Sequence, residues 1–257
     1  MKQFDELVRI MARLRAEEGC PWDREQTHQT LKPYLLEEAY ETLEAVDSGD
    51  PQKLCAELGD VLLQVVFHAQ VADEEHNFSI EDVCRRISEK LTFRHPHVFG
   101  DVEVRDSDEV VTNWEQLKRM EAENGERESA LDGVPPALPA LMRATSLQKK
   151  ASKVGFDWED ISGPLAKVRE ELAELEQAQK TGDSQALAHE LGDLLFAVVN
   201  VARFLKVDSE QALRMACERF YGRFRYVEDA AQAAGKDLHG MDLAEMDALW
   251  DAAKKAE

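Results

Sequence analysis

Basic charge is scarce in this chain. Its 257 residues hold 31 Lys and Arg against 52 Asp and Glu, a formal net charge of −21. Binding a nucleic-acid polymer calls for clustered cations that displace counterions, so no such partner is expected. A free nucleotide is not excluded, because a divalent cation can bridge protein carboxylates and phosphates. Cysteine is sparse too: Cys20, Cys55, Cys84 and Cys217 form no C-x-x-C, and no Cys/His set has zinc spacing. They read as the reduced thiols of a cytoplasmic protein. The start, Met1-Lys2-Gln3-Phe4-Asp5-Glu6, lacks the apolar core of a signal peptide. The longest apolar runs are broken by polar residues well before about 18 positions, so no membrane span is expected. Strand signals are nearly absent, since no run alternates cleanly with β-branched residues.

What the chain does have is helical periodicity. Leu54, Leu58, Val61, Leu62, Val65, Val66 and Ala69 form an apolar stripe, and Leu187, Leu191, Leu194, Leu195, Val198, Val199 and Ala202 repeat it 133 residues later. Helices are expected near 3–18, 29–47, 51–75, 79–93 and 107–124, and again near 138–152, 163–181, 184–205, 209–233 and 242–256. Ser48-Gly49-Asp50-Pro51 and Thr181-Gly182-Asp183-Ser184 are matching helix breaks, with Pro51 suited to the first helical position after an Asp cap. Further matches run downstream: Lys90 and Arg94 parallel Arg219 and Arg223, and Trp114-Glu115-x-x-Lys118 parallels Trp250-Asp251-x-x-Lys254. The expectation is an all-α protein of two tandem helical bundles from an internal duplication. Residues 1–124 form one domain and 138–257 the other. The Gly- and Pro-rich stretch 125–137 links them. A hydrophobic content of 44% suffices for a core in each half, and 32% charged residues give a solvated surface.

Carboxylates are duplicated with the stripe. Glu37-Glu38-x-x-Glu41 is followed by Glu57-x-x-Asp60, and Glu170-Glu171-x-x-Glu174 by Glu190-x-x-Asp193. Residues three apart share a helix face, so each copy offers two carboxylate pairs on successive helices. Such a group repels itself and loses solvation unless cations compensate it. Hard oxygen ligands in this number suit Mg²⁺, with Mn²⁺ as a substitute. A di-iron bundle would use Glu-x-x-His, whereas here the third position is Glu or Asp. Gly59 and Gly192 interrupt the second helix of each copy at a cost of roughly 1 kcal/mol relative to Ala, which suggests close approach by a neighbour or ligand.

The second copy adds cations. Lys167 lies one turn before Glu171, and Arg203 lies further along the helix of Asp193. Arg219 and Arg223 are one turn apart, and Lys254 is one turn after Trp250. As a set they suit a triphosphate, with Trp250 either a core aromatic or a platform for a base. The first copy has Tyr34, Phe67 and Gln70 where the second has Lys167, Asn200 and Arg203. The second half is therefore the favoured catalytic one. His95-Pro96-His97 reads as a structural turn, and His68 and His189 receive no proton-transfer role.

Beside the carboxylate sets stand Gly19-Cys20-Pro21-Trp22-Asp23, Arg94-His95-Pro96-His97-Val98-Phe99, Ser129-Ala130-Leu131-Asp132-Gly133-Val134-Pro135, Leu138-Pro139-Ala140-Leu141 and Val154-Gly155-Phe156-Asp157-Trp158. Over nearly its whole length the chain resembles the MazG family of nucleoside triphosphate pyrophosphohydrolases. The resemblance implies Mg²⁺-dependent cleavage of a nucleoside triphosphate to monophosphate and pyrophosphate, with water attacking between the α and β phosphates. It also implies a homodimer whose C-terminal half is mainly active. Matched residue by residue, it implies Glu171, Glu174, Glu190 and Asp193 as metal ligands and catalytic groups. Lys167 and Glu170 flank the first pair. A turn, Ala186, Leu187, Ala188 and His189, precedes the second. Arg219 to Arg223 and Trp250 fall on substrate-contacting positions. The family often has Asn-x-Lys-Phe where this chain has Cys217-Glu218-Arg219-Phe220, and Lys where it has Ser146; Arg for Lys keeps charge but changes geometry. Two other readings compete: a narrower pyrophosphatase of the dUTP or phosphoribosyl-ATP type, and an acidic helical module whose carboxylates only hold a structural metal.

Overall fold

In the computed structural model of the chain, residues 2–106, 109–110, 113–114, 117 and 129–256 are described. They contain helices and turns and no strand. The chain divides into two compact units, Met1–Gly125 and Glu126–Glu257. The helix expected over 107–124, with Glu115 and Lys118, lies mostly outside the described residues, as do positions 125–128 of the expected linker.

The first unit holds α1 (Lys2–Arg15), α2 (Pro21–Glu25), α3 (Lys32–Ser48), α4 (Pro51–Glu74), α5 (Ile80–Arg94) and α6 (Pro96–Phe99). Its core gathers Met11 of α1, Leu31, and Val66, Phe67 and Val71 of α4, with Phe4, Leu7, Val8 and Leu14 packed around them. Removing that apolar surface from water is the main stabilising term, about 25 cal/mol per Å². Arg15 closes this core at one end. Its guanidinium donates to Glu74 at 2.7 and 3.0 Å and to the Gln26 carbonyl at 3.1 Å, and it lies 5.5 Å over the Phe67 ring. The Arg15 hydrogen bond holds the Glu74 carboxyl below its ordinary range.

The second unit holds α7 (Ala140–Ser152), α8 (Ser162–Thr181), α9 (Ser184–Phe204), α10 (Ser209–Ala233), a 3₁₀ turn (Leu238–Gly240) and α11 (Leu243–Ala256). α8 packs along α9, α7 crosses α9 and α10, and α10 packs on α11. The long helices match the periodicity. The two short ones, Pro21–Glu25 and Pro96–Phe99, each begin at a proline that presets φ for a first helical residue. By length and composition alone α4 is long and apolar enough to cross a membrane, a test that core helices also pass. It nevertheless carries Lys53, Glu57, Asp60, Asp73 and Glu74 and packs against α1, α3 and α5.

His68 of α4 enters a pairing that periodicity does not reveal. Its ring stacks on His28 with centroids 5.1 Å apart and planes 9° apart, and the two Nδ1 atoms are 2.8 Å from each other. Such a bond needs a proton on one nitrogen and a lone pair on the other, so two fully protonated rings oppose each other. Burial, and then the charge of His28, pushes the His68 pKa down. In the second unit the aligned residues are Ile161 and Val201, an apolar pair. Because the folded pKa of His68 is depressed, its contribution to stability is present above the unfolded value, near 6.5, and is lost as pH falls through the folded one. Thermal unfolding of the first unit should therefore shift downward between about pH 7 and 5, and His68→Val should flatten that shift. Equal pH slopes in both proteins would contradict it.

Candidate active site

Each unit builds its carboxylate face from one hairpin of helices. Gly49 and Gly182 end α3 and α8 in the left-handed region, at φ 67° and 70°, which a side chain with Cβ enters at a cost of about 1–2 kcal/mol. Asp50 and Asp183 then cap the next helix. Their carboxylates accept from the Gln52 and Gln185 amides at 2.8 and 2.9 Å, each cap worth about 1 kcal/mol. This two-residue connection sends the second helix back along the first. Glu38 and Asp60 lie eleven residues either side of Gly49, and Glu41 and Glu57 eight either side. Glu171 and Asp193, and Glu174 and Glu190, are disposed in the same way about Gly182. At 1.5 Å per residue, equal counts set each acid opposite its partner.

In the first unit, ligand oxygens of Glu38, Glu57 and Asp60 lie within 4.8 Å of one another, a cluster that spans both helices. Burial, then the charges of Asp60 and Glu41, raise the Glu38 pKa. In the second unit two clusters of that size form, one on each helix: Glu170, Glu171 and Glu174 on α8, and His189, Glu190 and Asp193 on α9. The His189 Nδ1 is 3.2 Å from Asp193 and 3.7 Å from Glu190. Desolvation, then Glu171 and Glu190, raise the Glu174 pKa, so the two helices feel each other's charge. Lys167 meets this field as its spacing suggests. Its ammonium is 2.8 Å from Glu170 and 2.6 Å from Glu171, and those bonds drive its own pKa up. Glu171 is 4% exposed. A buried carboxylate with one cation beside it, facing further acids, has a donor set of the hard-oxygen kind that a divalent cation takes. Tyr34, aligned with Lys167, instead meets Trp22 edge-on at 5.9 Å and supplies no charge.

Two local expectations change. Ala186, Leu187, Ala188 and His189 form no turn. They lie in the first two turns of α9, which Asp183 caps, so Gly182 and Asp183 alone make the connection. At Gly59 and Gly192 nothing among the described residues, apart from the helix's own backbone, lies within 4 Å of where a Cβ would stand. His95-Pro96-His97 caps and opens α6, with His95 Nδ1 2.7 Å from the Leu91 carbonyl, a structural corner.

The remaining residues form two further groups. Arg203 bonds Asn200 Oδ1 through Nε at 2.8 Å and grips Asp157 with both terminal nitrogens, at 2.8 and 2.5 Å. Periodicity gave no sign of Asp157, because it sits in a loop 46 residues away. Arg223 lies 5.8 Å over the Trp250 ring, and Phe220 packs on the same ring at 5.1 Å. Lys254 pairs with Asp251 at 2.9 Å. This aromatic group borders an open groove of about 680 Å³ lined by Ala216, Cys217, Glu218, Phe220, Tyr221 and Phe224; Arg219 lies on the same helix. It stands on α10 and α11, a helix pair separate from the carboxylates. Phe220, Tyr221, Leu191 and Leu195 remain largely exposed.

A family model described as the MazG nucleotide pyrophosphohydrolase domain matches residues 26–99 and 162–227; each match contains one carboxylate hairpin. The nucleoside triphosphate pyrophosphohydrolase of Escherichia coli (strain K12) is 48% identical over 260 residues, covering 100% of this chain and 99% of that protein. The nucleoside triphosphate pyrophosphohydrolase/pyrophosphatase MazG of Thermotoga maritima is 48% identical over 252 residues, covering 98% and 95%. A nucleoside triphosphate pyrophosphohydrolase of Mycobacterium tuberculosis is 33% identical over 240 residues, covering 93% and 61%.

The open space at the two helical glycines has a measurable consequence. Ala at position 59 or 192 restricts the unfolded chain and meets nothing when folded, so each substitution should stabilise the protein by about 0.4–1 kcal/mol. Urea unfolding measures this, and a loss of stability would mean that something covers this face.

Proposed function

This chain belongs to the MazG nucleotide pyrophosphohydrolase family, and from that premise we propose how its residues divide the work. It is a hydrolase that splits nucleoside triphosphates into monophosphates and pyrophosphate. Our reading assigns the activity mainly to the second unit. The observation that carries it is the second hairpin, where acidic clusters on both helices stand beside Lys167, while the aligned position in the first hairpin holds the uncharged Tyr34.

Glu171, Glu174, Glu190 and Asp193 are the groups that would hold Mg²⁺, or Mn²⁺ in its place. Bound there, the ion supplies neutralisation of phosphate charge and acidity to water. Lys167 pairs with Glu170 and Glu171 and adds a cation at the edge of the triphosphate site. Glu170 and the Ala186–His189 turns of α9 border the phosphates, and His189 sets the orientation of Asp193. Arg219, Arg223 and Lys254 neutralise the leaving pyrophosphate, and Trp250 stacks on the base, its face already shared with Arg223. Water attacks the α phosphorus, so no covalent intermediate with the protein is required. The first hairpin keeps Glu38, Glu41, Glu57 and Asp60 as a metal site without the phosphate-binding cations. A cytoplasmic location is supported by four free cysteines.

The carboxylates and the α10/α11 aromatic group sit on different helix pairs, and the stripes between them stay exposed. A second copy that covers those stripes completes the bundle, so the assembly proposed is a homodimer. Light scattering at micromolar concentration should report about twice the 29.1 kDa chain mass; a species of chain mass alone would contradict the dimer.

Paired substitutions test the division of labour. Glu171→Gln with Glu190→Gln should remove turnover while leaving helical content intact. Glu38→Gln with Glu57→Gln should cost less than about threefold. The reverse pattern would move the active site to the first unit. Products decide the cleavage position: pyrophosphate and monophosphate are expected, and direct release of inorganic phosphate would contradict attack at the α phosphorus.

A further inference from the structure

We propose that Asp157 is a positioning residue for this reaction: it fixes Arg203, and Arg203 fixes Asn200 so that the Asn200 amide donates a hydrogen bond to an acceptor on the nucleotide. The inference rests on the second unit being the active one. Its starting point is an assignment of atoms. An asparagine amide can be turned either way on shape alone. Here the atom 2.8 Å from Arg203 Nε must be the oxygen, because guanidinium nitrogens only donate. The NH₂ therefore points away from Arg203. Asn200 is 5% exposed, and this NH₂ finds no acceptor among the described residues. The residue as a whole is buried, but its amide nitrogen is not among the sealed unpaired side-chain atoms of the described residues, so it stays open to an acceptor from outside the chain.

Its place agrees. Asn200 follows Asp193 by seven residues, two turns along the same stripe of α9. Counted from Gly182, it stands one turn beyond the level of Lys167 on α8. The donor thus lies at the end of the carboxylate row marked by the cation, where a triphosphate passes out of the acidic face.

Arg203, by contrast, is committed. Both of its terminal nitrogens grip Asp157, its side chain is largely buried, and it lies 4.6 Å over the Phe204 ring. Its contact with Asp157 holds that carboxyl below its ordinary range. A guanidinium so engaged is an anchor rather than a phosphate ligand. Asp157 follows Gly155, whose φ of 87° turns the chain, and precedes α8, so one loop carries the anchor to the helix pair of the site.

The first unit serves as an internal control. There Phe67 fills the Asn200 position and joins the core, and Gln70 in the Arg203 position donates to Glu74. The helix hairpin folds without the Asp–Arg–Asn chain, so the fold alone does not call for it.

Steady-state kinetics of the full-length chain with Mg²⁺ and a common nucleoside triphosphate tests the idea. Asp157→Asn and Asn200→Ala should each raise KM about tenfold with kcat changed less than threefold, and the double variant should be no worse than Asn200→Ala alone, because one residue acts through the other. Arg203→Lys, which keeps a charge for Asp157 but has no Nε to hold Asn200, should raise KM similarly and guards against misfolding of the Asp157 variant. A folded Asp157→Asn or Arg203→Lys protein with unchanged KM, or additive effects in the double variant, would overturn the proposal. Glu171→Gln with Glu190→Gln in the same assay separates the two levels. If that pair abolishes turnover while KM ignores Asp157, only the positioning role falls; if that pair remains active, both fall.

Discussion

The connection Gly-Asp between paired helices is the constraint on which the rest depends. A glycine in the left-handed region and an aspartate cap reverse the chain in two residues and leave no freedom of register. Helical rise then converts equal sequence counts into facing side chains. Glu38 meets Asp60, and Glu174 feels the charge of Glu190, because each pair is equidistant from its glycine. A residue inserted between either acid pair and its turn would rotate the carboxylates off the shared face by about 100°. The turn therefore sets the chemistry as well as the fold.

What the turn brings together is self-repelling. Desolvation and neighbouring acids raise the carboxyl pKa of Glu38 in one hairpin and of Glu174 in the other. The two units relieve this differently. The second sets Lys167 against Glu170 and Glu171, whereas Lys53, the cation near the first hairpin, pairs mainly with Glu44 outside the cluster. The same division runs through the cores: Phe67 packs the first unit where Asn200 holds a polar chain in the second. Duplication preserved the carboxylate frame, and substitution around it set an apolar side chain, Phe67, in one copy where the other has the polar Asn200.

The frame was legible because its signals are local and periodic. Apolar stripes at helical spacing, the two Gly-Asp breaks and the repeated acids all lie within windows of a few turns, and the long helices follow them. The Lys167–Glu171 contact followed from a spacing of one turn. Features that depend on loops meeting helices were not legible. Asp157 and Arg203 are 46 residues apart with no shared period, so Arg203 read as a free phosphate cation when it is in fact anchored. His28 and His68 are 40 apart, and only the packing of the loop before α3 on α4 joins them. Ala186 to His189 read as a turn because the family motif follows a break, but the Asp183 cap starts the helix before them.

The central claim is that a cation compensates these facing carboxylates, and its most direct test is an exchange in the order of stability. Neutralising Glu174 by Glu174→Gln relieves repulsion when no metal is present and removes a ligand when one is. Unfolding midpoints of the two proteins, measured in chelator and again in millimolar Mg²⁺, report both effects in one experiment. The variant should be the more stable protein in chelator and the less stable one in Mg²⁺. A wild-type chain whose midpoint ignores Mg²⁺, or an order that does not change, would contradict it.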